Sequence, residues 1–243
     1  MRKGSWNIID TQAAMPEENM AIDAKLLEEQ KNRQDNTAIL HLYEWIAPSA
    51  TYGIFIDPFT YLNPEGVKAK RLHLAKRPTG GGIIFHVSDF AFSMIIPSLH
   101  IGYSDNILQN YAFVNAIVIE VISRFLGKKV NISLLPEDPI ALHESASLFC
   151  MGKPTKYDVM IGGKKVGGGA QRKTRHAILH QGTISLVLPD VSFLESVLKS
   201  KDHVIGAMQA NTYSLLNNLR HPKELAKARL SFKKIFQEYI QTS

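Results

Sequence analysis

Arg77-Pro78-Thr79-Gly80-Gly81-Gly82-Ile83-Ile84-Phe85-His86 runs three consecutive glycines directly into an apolar, β-branched strand. Glycine adds no side chain to a core and loses the most backbone freedom on folding. A triplet therefore marks backbone that takes positive φ or approaches something closely. Arg77 puts a permanent forked charge beside bare backbone N–H groups, a pairing suited to a carboxylate, a phosphate or a developing oxyanion. The structural alternative is a tight turn between two strands. Residues 83–85 and 91–96 read as paired strands with Ser88 and Asp89 in the turn, which sets the glycines beside a sheet edge.

Upstream, residues 16–31 predict a helix: Pro16 opens it, Glu17 and Glu18 fill the first turn, and Met20, Ala24 and Leu27 make an apolar stripe. Residues 38–45 alternate as a strand covered on both faces, and His41 within it is given no role. Residues 48–64 read as an irregular connection with a short strand near 50–56, followed by a short helix at 64–69. Residues 72–76 lead into the glycines.

Downstream, Ser104 is the expected N-cap of the longest helix, which runs to Leu126 and stops at Gly127. Ile107, Tyr111, Val114, Val118, Val121 and Phe125 recur at helical spacing, a core stripe that needs no cofactor to explain it. A strand at 129–135 follows, then a polar stretch at 143–147 and a surface loop at 148–150. Gly162-Gly163 between alternating residues predicts a β-hairpin that carries Lys165 at its surface, and the second triplet, Gly167-Gly168-Gly169-Ala170-Gln171, comes directly after. A strand at 178–188 holds His180 and Gly182. Helices are expected at 192–199, 213–219 and 222–240. With neither repeat nor linker, residues 1–243 read as one α+β domain of mixed sheets and packed helices.

The composition narrows the function. The 243 residues are 45% hydrophobic, enough for a substantial core. Cys150 is the single cysteine, so no disulfide framework exists and a reducing, cytoplasmic setting is expected. No signal-peptide pattern opens the chain and no apolar run is long enough to span a bilayer. The net charge of +6 favours acidic partners, yet the basic residues are scattered rather than blocked as in a nucleic-acid footprint. Neither triplet fits a P-loop or a dinucleotide-binding fingerprint. What remains is two glycine-bearing strands lying side by side, a trough of exposed backbone for a long thin ligand, with Arg77 entering on one and Lys165 on the other.

These residues carry a family resemblance. Lys76-Arg77-Pro78-Thr79-Gly80-Gly81-Gly82-Ile83-Ile84-Phe85-His86 resembles the R-R-x-[ST]-G-G-G-x-V-x-H motif of the lipoate-protein ligase and octanoyltransferase family. Glu18-Asn19-Met20-Ala21-Ile22-Asp23 resembles its first-helix signature. Lys164-Lys165-Val166-Gly167-Gly168-Gly169-Ala170-Gln171-Arg172 resembles its G-[RK]-K-[IV]-x-G-x-A-[QY] motif, and His180-Gln181-Gly182-Thr183 its H-[HQ]-G-[ST] strand. The motifs keep family order across residues 6–190, and little after about residue 200 matches. Gly168 and Gly169 stand where members often have one glycine beside serine or another small residue.

The resemblance implies a biotin/lipoate-ligase-like α+β catalytic domain that passes a lipoyl or octanoyl chain to one lysine of a lipoyl carrier domain, such as the glycine-cleavage H protein or a dehydrogenase E2. It implies that Lys165 acts in catalysis, steadying the leaving group or acyl carbonyl, and that Arg77, Thr79, Gly80, Gly81, Gly82, His86, Gly167, Gly168, Ala170, Gln171, His180 and Gly182 bind substrate. No metal ligands are implied. Cys150-Met151-Gly152-Lys153-Pro154 followed by Tyr157-Asp158 resembles the C-x-x-x-P-x-x-Y-[DE] segment of the branch in which a cysteine takes the acyl group from acyl carrier protein as a thioester, without a cofactor. A thiolate steadied by a nearby ammonium such as Lys165 is a competent nucleophile. The alternative is a ligase that activates the free acid with ATP and Mg2+, although residues 200–243 are too few for the extra C-terminal domain many such members carry. A further alternative is an acyl- or carrier-binding protein that has lost turnover.

Overall fold

The computed structural model describes residues 4–127, 130–138, 148–217 and 219–242. The expectation for 143–147 and the start of the strand at 129–135 lie outside them. Seven strands form the larger sheet in the order β1 (Ser5–Ala14), β2 (Thr37–Trp45), β6 (Asp89–Pro97), β10 (Ala177–Ser185), β9 (Lys164–Lys173), β8 (Val159–Ile161) and β7 (Ile132–Leu134). β1 and β2 run parallel and the other neighbours are antiparallel. A smaller sheet holds β3 (Ser49–Tyr52) between β4 (His73–Lys76) and β5 (Ile83–His86).

Alternation in β2 sets the layers. Leu40 and Leu42 join Phe90, Phe92 and Met94 under the helices α3 (Ile107–Leu126) and α6 (Pro222–Thr242), which contribute Val114, Val118, Val121, Phe232 and Phe236. Ile39, on the opposite face, packs with Leu26 and Leu27 of α1 (Pro16–Glu29). Both faces are therefore covered, as the alternation implied. Full burial of each such side chain is worth about 1.5–3 kcal/mol. The smaller sheet shares a second core with α2 (Pro64–Ala69), α4 (Val191–Val197) and α5 (Lys201–Asn211).

Several expectations change. The strands at 83–86 and 89–97 do not pair: the chain crosses between the two sheets at Val87 and Ser88, and Ser88 Oγ donates to Val187 O at 2.7 Å to pin the crossing. β1 was not anticipated, because a bulge between Asp10 and Ala13, with Gln12 at φ +65, breaks its alternation. The N-cap of α3 is Asn106, whose Oδ1 accepts from Leu108 N at 2.9 Å, rather than Ser104; Gly127 ends the helix at φ +60. Residues 213–217 are not helical, with a turn at 215–217, and the helix of this region is α5, whose internal Gly206 weakens the sequence signal. Residues 148–150 are not a surface loop. Ile83 N donates to Leu148 O, Cys150 N donates to Ile83 O, and Phe149 is buried in the second core.

Candidate active site

A cavity of about 450 Å3 opens between the two sheets. The larger sheet supplies Lys165, Gly168, Gly169, Ala170 and Gln171 from β9 with Gln181, Gly182 and Thr183 from β10. Arg77, Gly80, Gly81, Gly82, Ile84 and His86 come from the other side, and Cys150 with Lys153, Thr155 and Lys156 from the segment after it. The two triplets are not on neighbouring strands, since the first leads into β5 of the smaller sheet and the second lies in β9 of the larger, but they abut: a Cβ built on Gly81 would come 3.7 Å from Ala170 Cβ.

Cys150 is a free, half-buried thiol in this wall. Arg77 approaches its Sγ with Nη2 at 3.9 Å. The guanidinium is otherwise spent on scaffold: Nε and Nη2 donate to Gly80 O, Nη2 also to Gly82 O at 2.8 Å, and Nη1 to Thr51 O and Oγ1 at 3.2 Å. It fixes the glycine loop and leaves a full positive charge beside the sulfur, rather than reaching out as a free anion clamp. His86 continues the scaffold, with Nδ1 donating to Asp89 Oδ2 at 2.7 Å and Nε2 lying 2.9 Å from Thr51 Oγ1. Burial works against ionisation of Asp89, but His86 and the Thr183 hydroxyl outweigh it and hold the carboxyl below its ordinary value.

Lys165 is buried, not a surface hairpin residue. Its Nζ pairs with Asp158 Oδ2 at 2.7 Å, and the same oxygen accepts from Thr155 N at 2.7 Å and Thr155 Oγ1 at 3.0 Å. The expected Gly162-Gly163 hairpin forms, with both glycines at positive φ, and places Lys165 one residue past its first rung. The second triplet then makes room. A Cβ on Gly168 would overlap Asp158 Oδ1 and press on Lys165 Cε and Nζ, and one on Gly169 would overlap His180 Nε2.

Thr79, Gly167 and His180 are brought close without lining the cavity. Gly167 turns toward Val118 and Val159 in the core. His180 is fully buried, and burial pushes its imidazole down to about 3, so it is neutral at physiological pH; Gln171 Nε2 lies 2.8 Å from its Nδ1. Thr79 Oγ1 donates to Gln181 Oε1 at 2.7 Å, and Gln181 Nε2 donates to Asp23 Oδ2 at 2.6 Å. Asp23 also accepts from Ser93 Oγ and from His41 Nδ1, so the first-helix signature, the glycine loop and the His180-Gln181 strand meet in one buried network. His41, given no role, is a member of it.

Asp158 and Tyr111 escaped the sequence reading. Asp158 stands in the quoted Tyr157-Asp158 pair, where only its charge partner would have revealed it. Tyr111 was absorbed into the α3 core stripe, yet it lines the cavity and its hydroxyl accepts from Gln171 N at 2.9 Å. Burial pushes that hydroxyl up to about 12, with the charge of Asp158 adding to the shift. The only signal was a phenol in an otherwise aliphatic stripe. Among the described residues, no group of three or more His, Cys, Asp or Glu is placed to hold a metal, and no helix is long and apolar enough to cross a membrane.

A thiol, an ion-paired lysine and a fixed guanidinium are thus gathered around one cleft between two sheets, a set of groups whose chemistry suits an acyltransferase. Comparison narrows the class. The description of the lipoyl protein ligase A/B catalytic domain matches residues 15–240, and the chain belongs to that family. Octanoyltransferase LipM of Anoxybacillus flavithermus is 30% identical over 201 residues, 82% of this chain and 71% of that protein. Octanoyltransferase LipM of Bacillus subtilis is 26% identical over 247 residues, spanning 100% of this chain and 87% of that one. The crystal structure of lipoate-protein ligase A bound with ATP shares the fold with a TM-score of 0.67 at 20% identity, covering 98% of this chain and 86% of that one.

Proposed function

We propose that this enzyme transfers an octanoyl group from acyl carrier protein to the ε-amine of a lysine on a lipoyl carrier domain, through a thioester on Cys150. The observation that carries the reading is the free thiol in the cavity wall with the Arg77 guanidinium 3.9 Å from its sulfur. The similarity to octanoyltransferases supports the thioester route over the ATP route.

In the first half-reaction the Cys150 thiolate attacks the acyl thioester carbonyl. The bond to the donor sulfur breaks, the donor thiolate departs and takes up a proton, and the octanoyl group stays on Cys150. In the second, the neutral amine of the acceptor lysine attacks that thioester, Cys150 leaves as thiolate, and the amine proton passes to solvent as the amide forms. Negative charge grows on the carbonyl oxygen in both steps, and Lys165, held by Asp158 in a site shielded from water, is the cation to stabilise it. Arg77 stabilises the sulfur when it is anionic.

This route uses neither ATP nor Mg2+. We read residues 1–243 as one catalytic unit, because both sheets contribute to the cavity wall, and the unpaired thiol fits a cytoplasmic setting. The carrier, whether glycine-cleavage H protein or dehydrogenase E2, is the acceptor to be supplied. Intact mass of a lipoyl domain incubated with the enzyme and octanoyl-carrier protein tests the reading: it gains one octanoyl group without ATP. A domain modified only when lipoate and ATP-Mg2+ are present would establish the ligase alternative.

A further inference from the structure

The C-terminal end of α5 lies beyond every motif of the resemblance, yet it touches Lys165 and the two residues that follow Cys150. Thr212 Oγ1 donates to Met151 O at 2.8 Å, and Asn211 Nδ2 donates to Gly152 O at 2.7 Å, so the two peptide carbonyls after Cys150 are held by two consecutive side chains. Thr212 and its neighbour Tyr213 also reach β9. Thr212 forms an isolated parallel bridge with Lys165, and Tyr213 N donates to Lys165 O at 2.8 Å. Helix packing reinforces the contact, since Val204, Ile205 and Met208 of α5 share a core with Phe149 and Met151, the neighbours of Cys150 on either side.

We propose that Asn211 and Thr212 are positioning residues that brace the Cys150 segment against the Lys165 strand and so fix the sulfur in register with the ammonium and the Arg77 guanidinium. Among the described residues no strand pairing ties 150–152 to β9, and Cys150 N donates to Ile83 O of the smaller sheet. Without the brace the sulfur is referenced to the smaller sheet and Lys165 to the larger one. A reacting pair misplaced by about 1 Å can lose on the order of a hundredfold in rate. Thr212 is 3% exposed, so its hydroxyl is committed to this contact rather than to solvent.

The proposal rests on the reading of Cys150 as acyl carrier, and two readouts keep their failures apart. Single-turnover acylation of Cys150 by octanoyl-carrier protein is followed by intact mass in wild type, Thr212→Val, Asn211→Leu and Thr212→Ser. Alkylation of Cys150 by iodoacetamide at fixed pH, which needs no acyl donor, is followed in parallel, with thermal melts of every variant. Thr212→Val and Asn211→Leu are expected to acylate at least tenfold more slowly and alkylate at least threefold more slowly while their melts remain cooperative. Thr212→Ser, which keeps the hydroxyl, should restore both rates to within twofold of wild type. If wild type never acylates, the octanoyltransferase reading falls and the alkylation rates alone judge the brace. Wild-type alkylation in a folded Thr212→Val, Asn211→Leu double variant overturns the proposal. So does a slow Thr212→Ser, because the hydroxyl would then not be the group that matters.

Discussion

The first glycine triplet is an irregular loop whose middle member takes φ +85, whereas the second lies in regular β-strand with no positive φ at all. The loop needs glycine for its own backbone. Gly81 turns left-handed, Gly82 sits against Leu148 O, and the carbonyls of Gly80 and Gly82 point at the Arg77 guanidinium. The strand needs glycine for its neighbours: Gly168 clears the Lys165 and Asp158 side chains and Gly169 clears His180. Identical letters thus answer to different physics, one to torsion and close backbone approach, the other to the volume of side chains across the pleat.

The largest effect expected from this difference is at Gly168. Gly168→Ala should abolish transfer and destabilise the fold, because the methyl drives apart a buried ion pair whose carboxylate is tied to Thr155. Breaking such a pair costs about 3–5 kcal/mol, and Lys165→Ala, which strands Asp158 without its cation, should show a loss of that order in urea unfolding. Gly167→Ala, with Val118 and the Thr183 carbonyl at 3.4 Å, needs only small shifts of its neighbours and should keep transfer within about threefold. Equal losses at Gly167 and Gly168 would break the comparison. A Lys165→Ala loss below about 0.5 kcal/mol would return that lysine to the surface.

An intermediate effect is expected at Gly80, where a Cβ meets nothing within 4 Å and φ is not positive. Gly80→Val should leave the melting temperature in place while lowering transfer about tenfold, since a loss near 1.4 kcal/mol fits an isopropyl group set into the acyl path. Unchanged transfer would remove Gly80 from the ligand wall.

Much of this was readable from local pattern. The α1 helix, the two-faced alternation of β2, the Gly127 stop of α3 and the Gly162-Gly163 turn depend on neighbours a few residues away, and each stands where its pattern put it, although the buried face of α1 runs through Met20, Asp23, Leu26 and Leu27 and leaves Ala24 exposed. The departures are tertiary. Whether residues 83–86 pair with 89–97 and whether Phe149 is core are decided respectively by Leu148 and α5, far off in the chain, and the burial of Lys165 by an ion pair with Asp158 that only the folded hairpin brings together. For the site, the residues named from the motifs that line one cavity include Arg77, Lys165, Cys150 and all the triplet glycines but Gly167, whereas the motifs assign Asp158 and Tyr111 no role.

The smallest effect concerns the histidine that Gly169 accommodates. His180 has its pKa pushed down to about 3 by burial, against an ordinary value near 6.5. Between those values the unfolded chain holds the extra proton, so stability is full above about pH 6.5 and falls on acidification by on the order of 1 kcal/mol per pH unit. Urea unfolding of wild type and His180→Gln at pH 7 and pH 6 should therefore show the gap between them narrowing by up to about 1 kcal/mol at the lower pH. A gap independent of pH would mean that His180 is not held neutral.

The most direct measurement is the intact mass of wild type and Cys150→Ala after incubation with octanoyl-carrier protein alone, with peptide mapping of any adduct. The account predicts one octanoyl group on wild type, located on Cys150, and none on Cys150→Ala. An unmodified wild type, together with a Cys150→Ala protein that still modifies the lipoyl domain when given lipoate and ATP-Mg2+, would contradict it.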